Sequence, residues 1–438
     1  MKKKIVSALL CVAMAASLVV GCGSKSGSDS GSSKGGDKLV YWAMWSEDEP
    51  QAKVIKEAIS KYEKDTGVKV DVQFKGRTGQ REGLEPALSA KQQIDLFDED
   101  VNRVNGSWGK YLLDLEDMAK DYESEHGNET LFKIARNAYG QTHDGDDALH
   151  SIPYQPSIFG FFYNKTLFTK AGIESVPTTW EELDAACAKL KEAGIQPFNY
   201  SDKDNYHFEH LMSALALKAY GTSIADDLAS DKEAYNGEKM VAIYQKMKDM
   251  IDAGYWGDGI LSTDFNTERN MFEAGKAAFT VDGTWNCGNF QNDSDTTLFD
   301  AQKIGVTRIP YIDEANKTVE MGGGSDTYYI TTLNKSDEEI AATVKFIKYL
   351  TSVDSINEMC KSSPTTYAEK VTIDTGNYLL DDVNAIMAEN TESKLEIPTY
   401  DTNTAAMDTI RNSLQALATG ASAQEVGDDI VDKMSAYE

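Results

Sequence analysis

Apolar residues recur from residue 39 onward at two alternating spacings, one of strands and one of helices. Residues 39–42 form a short apolar run of strand length. Over 49–66, Val54, Ala58, Ile59 and Tyr62 fall at helical spacing, and Gly67 ends the segment. Val68, Val70, Val72 and Phe74 then alternate with polar residues as a strand does, and 94–97 predicts another strand. The chain therefore opens β-α-β and continues with helix and strand, the order of an α/β sheet with crossover helices. Residues 157–163 predict a buried strand, and 277–281 and 328–331 two more. Helices are expected over 179–192, capped at Thr178 or Thr179 and closed by Gly194, and over 207–220, 238–253 and 336–351. The final stretch, 404–437, is helical with a glycine interruption. No repeat of solenoid period is present.

The first residues follow a different pattern. Lys2, Lys3 and Lys4 precede an apolar stretch over 5–20, too short for a spanning helix of about 20 apolar residues and laid out as a secretory signal. Residues 23–36 are Gly, Ser and Lys with one Asp, a composition that buries no core and behaves as a flexible tether. Val19-Val20-Gly21-Cys22 resembles the lipobox of bacterial lipoproteins, in which the cysteine is lipidated and becomes the N-terminus. That resemblance implies a signal peptide over 1–21, a tether over 22–37 and lipid on Cys22.

The remainder is long enough for two domains, and 41% hydrophobic and 10% aromatic residues suffice for a sizeable core. A formal net charge of −28 argues against nucleic acid or an anionic lipid surface as partner, so membrane contact is expected through the lipid alone. Beyond Cys11 and Cys22, only Cys187, Cys287 and Cys360 remain, which is no disulfide framework, although one pair is possible.

Several clusters invite a chemical reading. Trp42 and Trp45 follow the first strand, with Glu47 and Asp48 beside them, and Asp98, Glu99, Asp100, Asn102 and Arg103 follow the 94–97 strand. Both places are carboxyl ends of strands, where an open α/β sheet holds ligands. Asp98, Glu99 and Asp100 could supply a glycosidase acid pair, but no catalytic motif accompanies them. His207 and His210 share a helix face with Glu209 nearby, yet no third histidine completes a zinc set. The run 144–147 lacks the spaced glutamate of a calcium loop and reads as a solvated turn. Gly322-Gly323-Gly324 lacks the Lys-Ser/Thr of a phosphate loop and is expected to be a flexible loop at the edge of a cleft.

Four motifs occur in order behind the lipobox: Tyr62-Glu63-Lys64-Asp65-Thr66-Gly67-Val68-Lys69-Val70; Phe161-Phe162-Tyr163-Asn164-Lys165-Thr166-Leu167-Phe168 with Ala171-Gly172-Ile173 and Pro177-Thr178-Thr179-Trp180; Met271-Phe272-Glu273-Ala274-Gly275-Lys276-Ala277-Ala278; and Gly283-Thr284-Trp285. With them the chain resembles the extracellular solute-binding proteins, family 1 and maltose-binding type, of bacterial carbohydrate ABC transporters. The resemblance implies a two-lobed α/β, periplasmic-binding-protein-like fold with a hinge and a ligand cleft between lobes. It implies one lobe from 38–156 with 328–362 and another from 157–327 with 363–438, the chain crossing near 155–159, 327–331 and 362–366. Its function would be to capture an oligosaccharide and deliver it to the permease subunits of an ABC importer. The protein would act as a monomer, without cofactor, metal or catalysis, on the outer face of the cytoplasmic membrane of a Gram-positive cell. A sugar needs aromatic faces for its rings and polar groups for its hydroxyls. Trp285 matches a family position where an aromatic stacks on sugar, and Tyr400 lies close to another. Trp45, Glu47, Asp48, Glu99, Asp100, Asn102 and Arg103 are assigned to one wall, and Gln155 to the hinge. Asn199, Tyr206, Trp256, Ser325 and Asp326 complete the set. A surface glycosidase, or the same fold holding a peptide or polyamine, stays open as an alternative.

Overall fold

The computed structural model describes residues 38–104, 108–117, 120, 149–292, 297–334, 336–368, 370–389, 392–401 and 405–436. Cys22, the tether and the 144–147 run lie outside these. Eight strands, β1 (Lys38–Ala43), β2 (Lys69–Phe74), β3 (Leu96–Asp100), β4 (Ser151–Asn164), β5 (Phe279–Gly283), β6 (Ile304–Thr307), β7 (Val319–Ile330) and β8 (Glu392–Lys394), form one connected sheet in the order β2-β1-β3-β7-β4-β5, with β6 on β4 and β8 on β7.

The opening follows from the sequence. β1 pairs in parallel with β2 and β3, so each connection must cross the sheet through a helix, Pro50–Thr66 and then Gly76–Ser89. Pro50 begins the first of these, and Gly67 ends it at φ 77°, a conformation glycine adopts without strain. β1 is buried on both faces, with Leu39, Tyr41 and Ala43 in one core and Val40 and Trp42 in another. The helix Trp180–Glu192 starts at Thr179, whose side chain forms a reciprocal capping box with Glu182.

Two long strands differ from expectation. The run expected over 157–163 is part of a 14-residue β4, and the strand expected over 328–331 is the end of a 12-residue β7. Gly322 and Gly323 are no loop: they pair with Ile158 and Ser157 in the β4–β7 ladder. Tyr154 and Ile152 of β4 and Tyr328 and Ile330 of β7 enter a core with Tyr41, Ile55, Tyr62 and Phe346. Phe159 and Phe161 of β4 and Val319 and Met321 of β7 enter a different core with Leu183, Leu211, Phe279 and Ile430. The molecule is thus two-lobed, and both strands run from one lobe into the other. Between the lobes the β4–β7 register shifts twice, at Pro153/Gln155 and Gln155/Ser157, because Pro153 and Pro156 carry no N–H for the ladder. A third segment lies alongside: Ala368 donates its N–H to the Tyr154 carbonyl, and the Thr366 hydroxyl donates to the Pro156 carbonyl. Cys187, Cys287 and Cys360 are buried, free thiols.

Candidate functional site

A cleft of about 590 Å³ opens where these strands cross. Three adjacent strands supply its floor. Asp100 ends β3, Asp326 lies opposite it on β7, and Gln155 of β4 is in register with Asp326, so the three form one row across the sheet. Trp45, just past β1, lines the cleft with Glu49, Gln51, Arg77 and Arg81. The opposite wall is made by Asp204, Asn205, Tyr206 and His210 around the start of the helix His207–Tyr220, by Trp285 and Asn289 after β5, and by Ser363, Glu396, Met407, Asp408 and Arg411.

Of the residues expected at a ligand site, Trp45, Asp100, Gln155, Tyr206, Trp285 and Asp326 line this cleft. Others do not. Trp256 is 1% exposed, stacked on Tyr200 at 4.5 Å and packed on Phe208, so it is a core residue. Tyr400 packs beside Val101 and Leu395, and its hydroxyl accepts the Leu395 N–H at 3.0 Å. Glu47 is exposed and paired with Lys56 at 2.8 Å, and Asp48 is exposed on the same turn. Glu99 is fully buried and reaches the cleft only through Arg81, which it holds at 2.8 Å. Asn199 sits against Gly257 and Met271. The side chains of Asn102, Arg103 and Ser325 lie outside the described residues. His207 and His210 turn toward different carboxylates, Glu268 at 3.3 Å and Glu396 at 3.1 Å, and so do not share an ion.

The aromatic groups differ in what they offer. Trp45 is 3% exposed. Its indole N–H donates to the Tyr154 hydroxyl at 3.1 Å, and the Arg77 guanidinium lies over its ring at 4.6 Å. Tyr154 in turn donates to Asp98 at 3.1 Å, as does Tyr41 at 2.9 Å. Burial raises the Asp98 carboxyl to about 7 despite these bonds. Trp285 is half-buried and stands edge-on to Phe159 at 5.9 Å, its N–H donating to Asp282 at 3.0 Å. Asp282 belongs to a buried cluster under this wall. The His207 ring contacts Glu268 at 3.3 Å and faces Asp282 at 4.0 Å, and Ser201 and Thr280 donate to Glu268. Burial opposes charge on His207, but Glu268, Asp282 and Asp202 outweigh it and hold the imidazole at about 9. On the floor, burial first, then Asp100, Asp98 and Glu99, push the Asp326 carboxyl well above the usual carboxylate range, against the pull of Arg77.

Residues 46–355 match the family described as bacterial extracellular solute-binding protein. The chain belongs to this family. It is 26% identical over 370 residues to a galactooligosaccharide-binding protein of Bacillus subtilis (strain 168), covering 84% of this chain and 80% of that one. It is 25% identical over 389 residues to the maltooligosaccharide ABC transporter solute-binding lipoprotein of Streptococcus pneumoniae (strain ATCC BAA-255 / R6), covering 82% and 81%. In fold it superimposes on a chitin oligosaccharide binding protein with a TM-score of 0.74 at 19% identity, over 92% of this chain and 98% of the other. No helix among the described residues of this family member is long and apolar enough to cross a membrane.

The cleft holds residues the sequence did not single out. Arg77 and Arg81 are one turn apart on the helix Gly76–Ser89, and Asp408 and Arg411 one turn apart on Ala406–Leu414. The i,i+4 and i,i+3 spacing of these charges was available as a signal of shared faces. Nothing local indicated that the two faces meet across one cleft.

Proposed function

We propose that the protein captures an oligosaccharide in this cleft and delivers it to an ABC importer. The observation that carries the reading is the composition of the cleft. Tyr206 and Trp285 offer ring surface on one wall, facing Trp45 and a dense set of carboxylates, amides and arginines on the other wall and the floor. Hydroxyl rims require such acceptors and donors, and sugar ring faces require such aromatics. Relatives named for galactooligosaccharides and maltooligosaccharides support the same ligand class. The lobes turn about β4, β7 and the 363–368 segment, the ligand favouring the closed form because only there do both walls reach it. Cys22 carries the lipid that holds the domain on the outer face of the membrane, and membrane-fraction recovery should fall in Cys22→Ser.

A thermal-shift panel of oligosaccharides tests the reading. A bound sugar at 100 times its Kd stabilises the native state by about 2.7 kcal/mol, and chromatography should return that sugar intact. Shortened products would assign the cleft to hydrolysis, and a panel without any shift would remove the oligosaccharide reading.

A further inference from the structure

The charge inventory of the cleft extends the oligosaccharide reading, on which this inference rests, to a class of sugar. Three arginines line the cleft, and each is already held by a carboxylate of the protein. Arg77 meets Glu49 at 2.9 Å, Arg81 meets Glu99 at 2.8 Å, and Arg411 meets Glu209 at 3.0 Å. Glu99 and Glu209 are both fully buried. If Arg81 or Arg411 turned to a ligand's carboxylate it would leave Glu99 or Glu209 as an uncompensated interior charge, which is strongly unfavourable, and Arg77 would have to give up its pair with Glu49. Five further carboxylates line the same cleft: Asp100 and Asp326, opposite one another on the floor, and Asp204, Asp408 and Glu396 on the far wall, the last of them beside His210. Among the described residues no lysine lines it. Burial and acidic neighbours push the Asp326 carboxyl upward against the pull of Arg77, so negative charge is unfavourable at this place even on the protein's own group. Closing the lobes brings the acidic far wall toward the acidic floor, and a ligand bearing negative charge makes that approach more unfavourable.

We propose that this cleft selects sugars by charge, accepting neutral oligosaccharides and those bearing a protonated amine and turning away uronate, sialylated, sulfated or phosphorylated ones. The sorting acts through the field of the walls rather than through shape, so it must respond to salt. It must also respond to the sign of exposed groups that touch no core.

Calorimetry on the full chain with matched trisaccharides of glucose, galactose and xylose type, each in neutral form and, where the sugar allows, as its uronate and amine counterparts, tests this. At least one neutral trisaccharide should bind. Its amine counterpart should bind no more weakly, and its uronate counterpart roughly tenfold or more weakly in dilute salt. The gap should narrow between about 0.01 M and about 1 M salt, as the screening length falls from roughly 30 Å to 3 Å. Asp204 and Asp408 are exposed, so the double variant Asp204→Lys, Asp408→Lys should keep its fold by circular dichroism, and the ratio of its uronate affinity to its neutral-sugar affinity should rise roughly tenfold. A uronate bound as tightly as its neutral counterpart, a gap indifferent to salt, or a double variant that still rejects the uronate would each overturn the selection by charge while leaving the oligosaccharide reading intact. Failure of every trisaccharide to bind would instead remove that reading, and this inference with it.

Discussion

Trp285 owes its position to a neighbour with no side chain. Its ring lies over Gly283, where a methyl group would overlap it, and its N–H is fixed on Asp282. Gly283→Ala should therefore push the indole out of place without disturbing either core. The expected outcome is a sugar affinity reduced roughly as far as in Trp285→Ala, where truncating a central aromatic costs about 2 kcal/mol or more. Calorimetry beside circular dichroism checks both, and unchanged affinity in Gly283→Ala would detach the glycine from the site. At this scale the sequence was informative where a strand end announces a site, as at Trp45 and Asp100. It misled at Trp256, assigned to the ligand set although Tyr200 and Phe208 bury it. Local pattern does not reveal which distant ring will cover a face.

The helix His207–Tyr220 is buried almost throughout, and its first residue brings a charge into the wall behind Trp285 and Tyr206. Because the folded state holds His207 at about 9 against an ordinary 6.5, it binds a proton more tightly than the unfolded chain does. The resulting stabilisation is complete below about pH 6.5 and is lost as pH rises through about 9. Melting temperature should fall over that interval in the native protein. His207→Gln should melt lower at pH 6.5 and lose less across the interval, and parallel curves for the two proteins would contradict the assignment. The helix itself was legible from its apolar run, and its salt partners were not, since Glu268 and Asp282 arrive from elements about 60 to 75 positions away. The same limit applies to β7. Three successive glycines read as a loop, yet two of them pair with β4, because a flanking strand satisfies their backbone groups whatever their side chains lack.

Two cores joined by two continuous strands make a molecule whose parts can turn without repacking. The irregular stretch of β4, with Pro153 and Pro156 on either side of Gln155, falls at the cleft floor, so the residue in register with Asp326 is also the one at the bend. Alternating strands and helices encode the α/β class, and the ordered motifs point to two lobes. That Arg77 and Arg411 line one cleft depends on how the lobes meet, which no short-range pattern encodes. The account rests on capture between those lobes. Small-angle X-ray scattering of the domain, with and without a saturating oligosaccharide identified in the thermal-shift panel, tests that most directly. The radius of gyration should fall on addition of the sugar, and superimposable curves for a tightly bound sugar would contradict closure of the lobes around it.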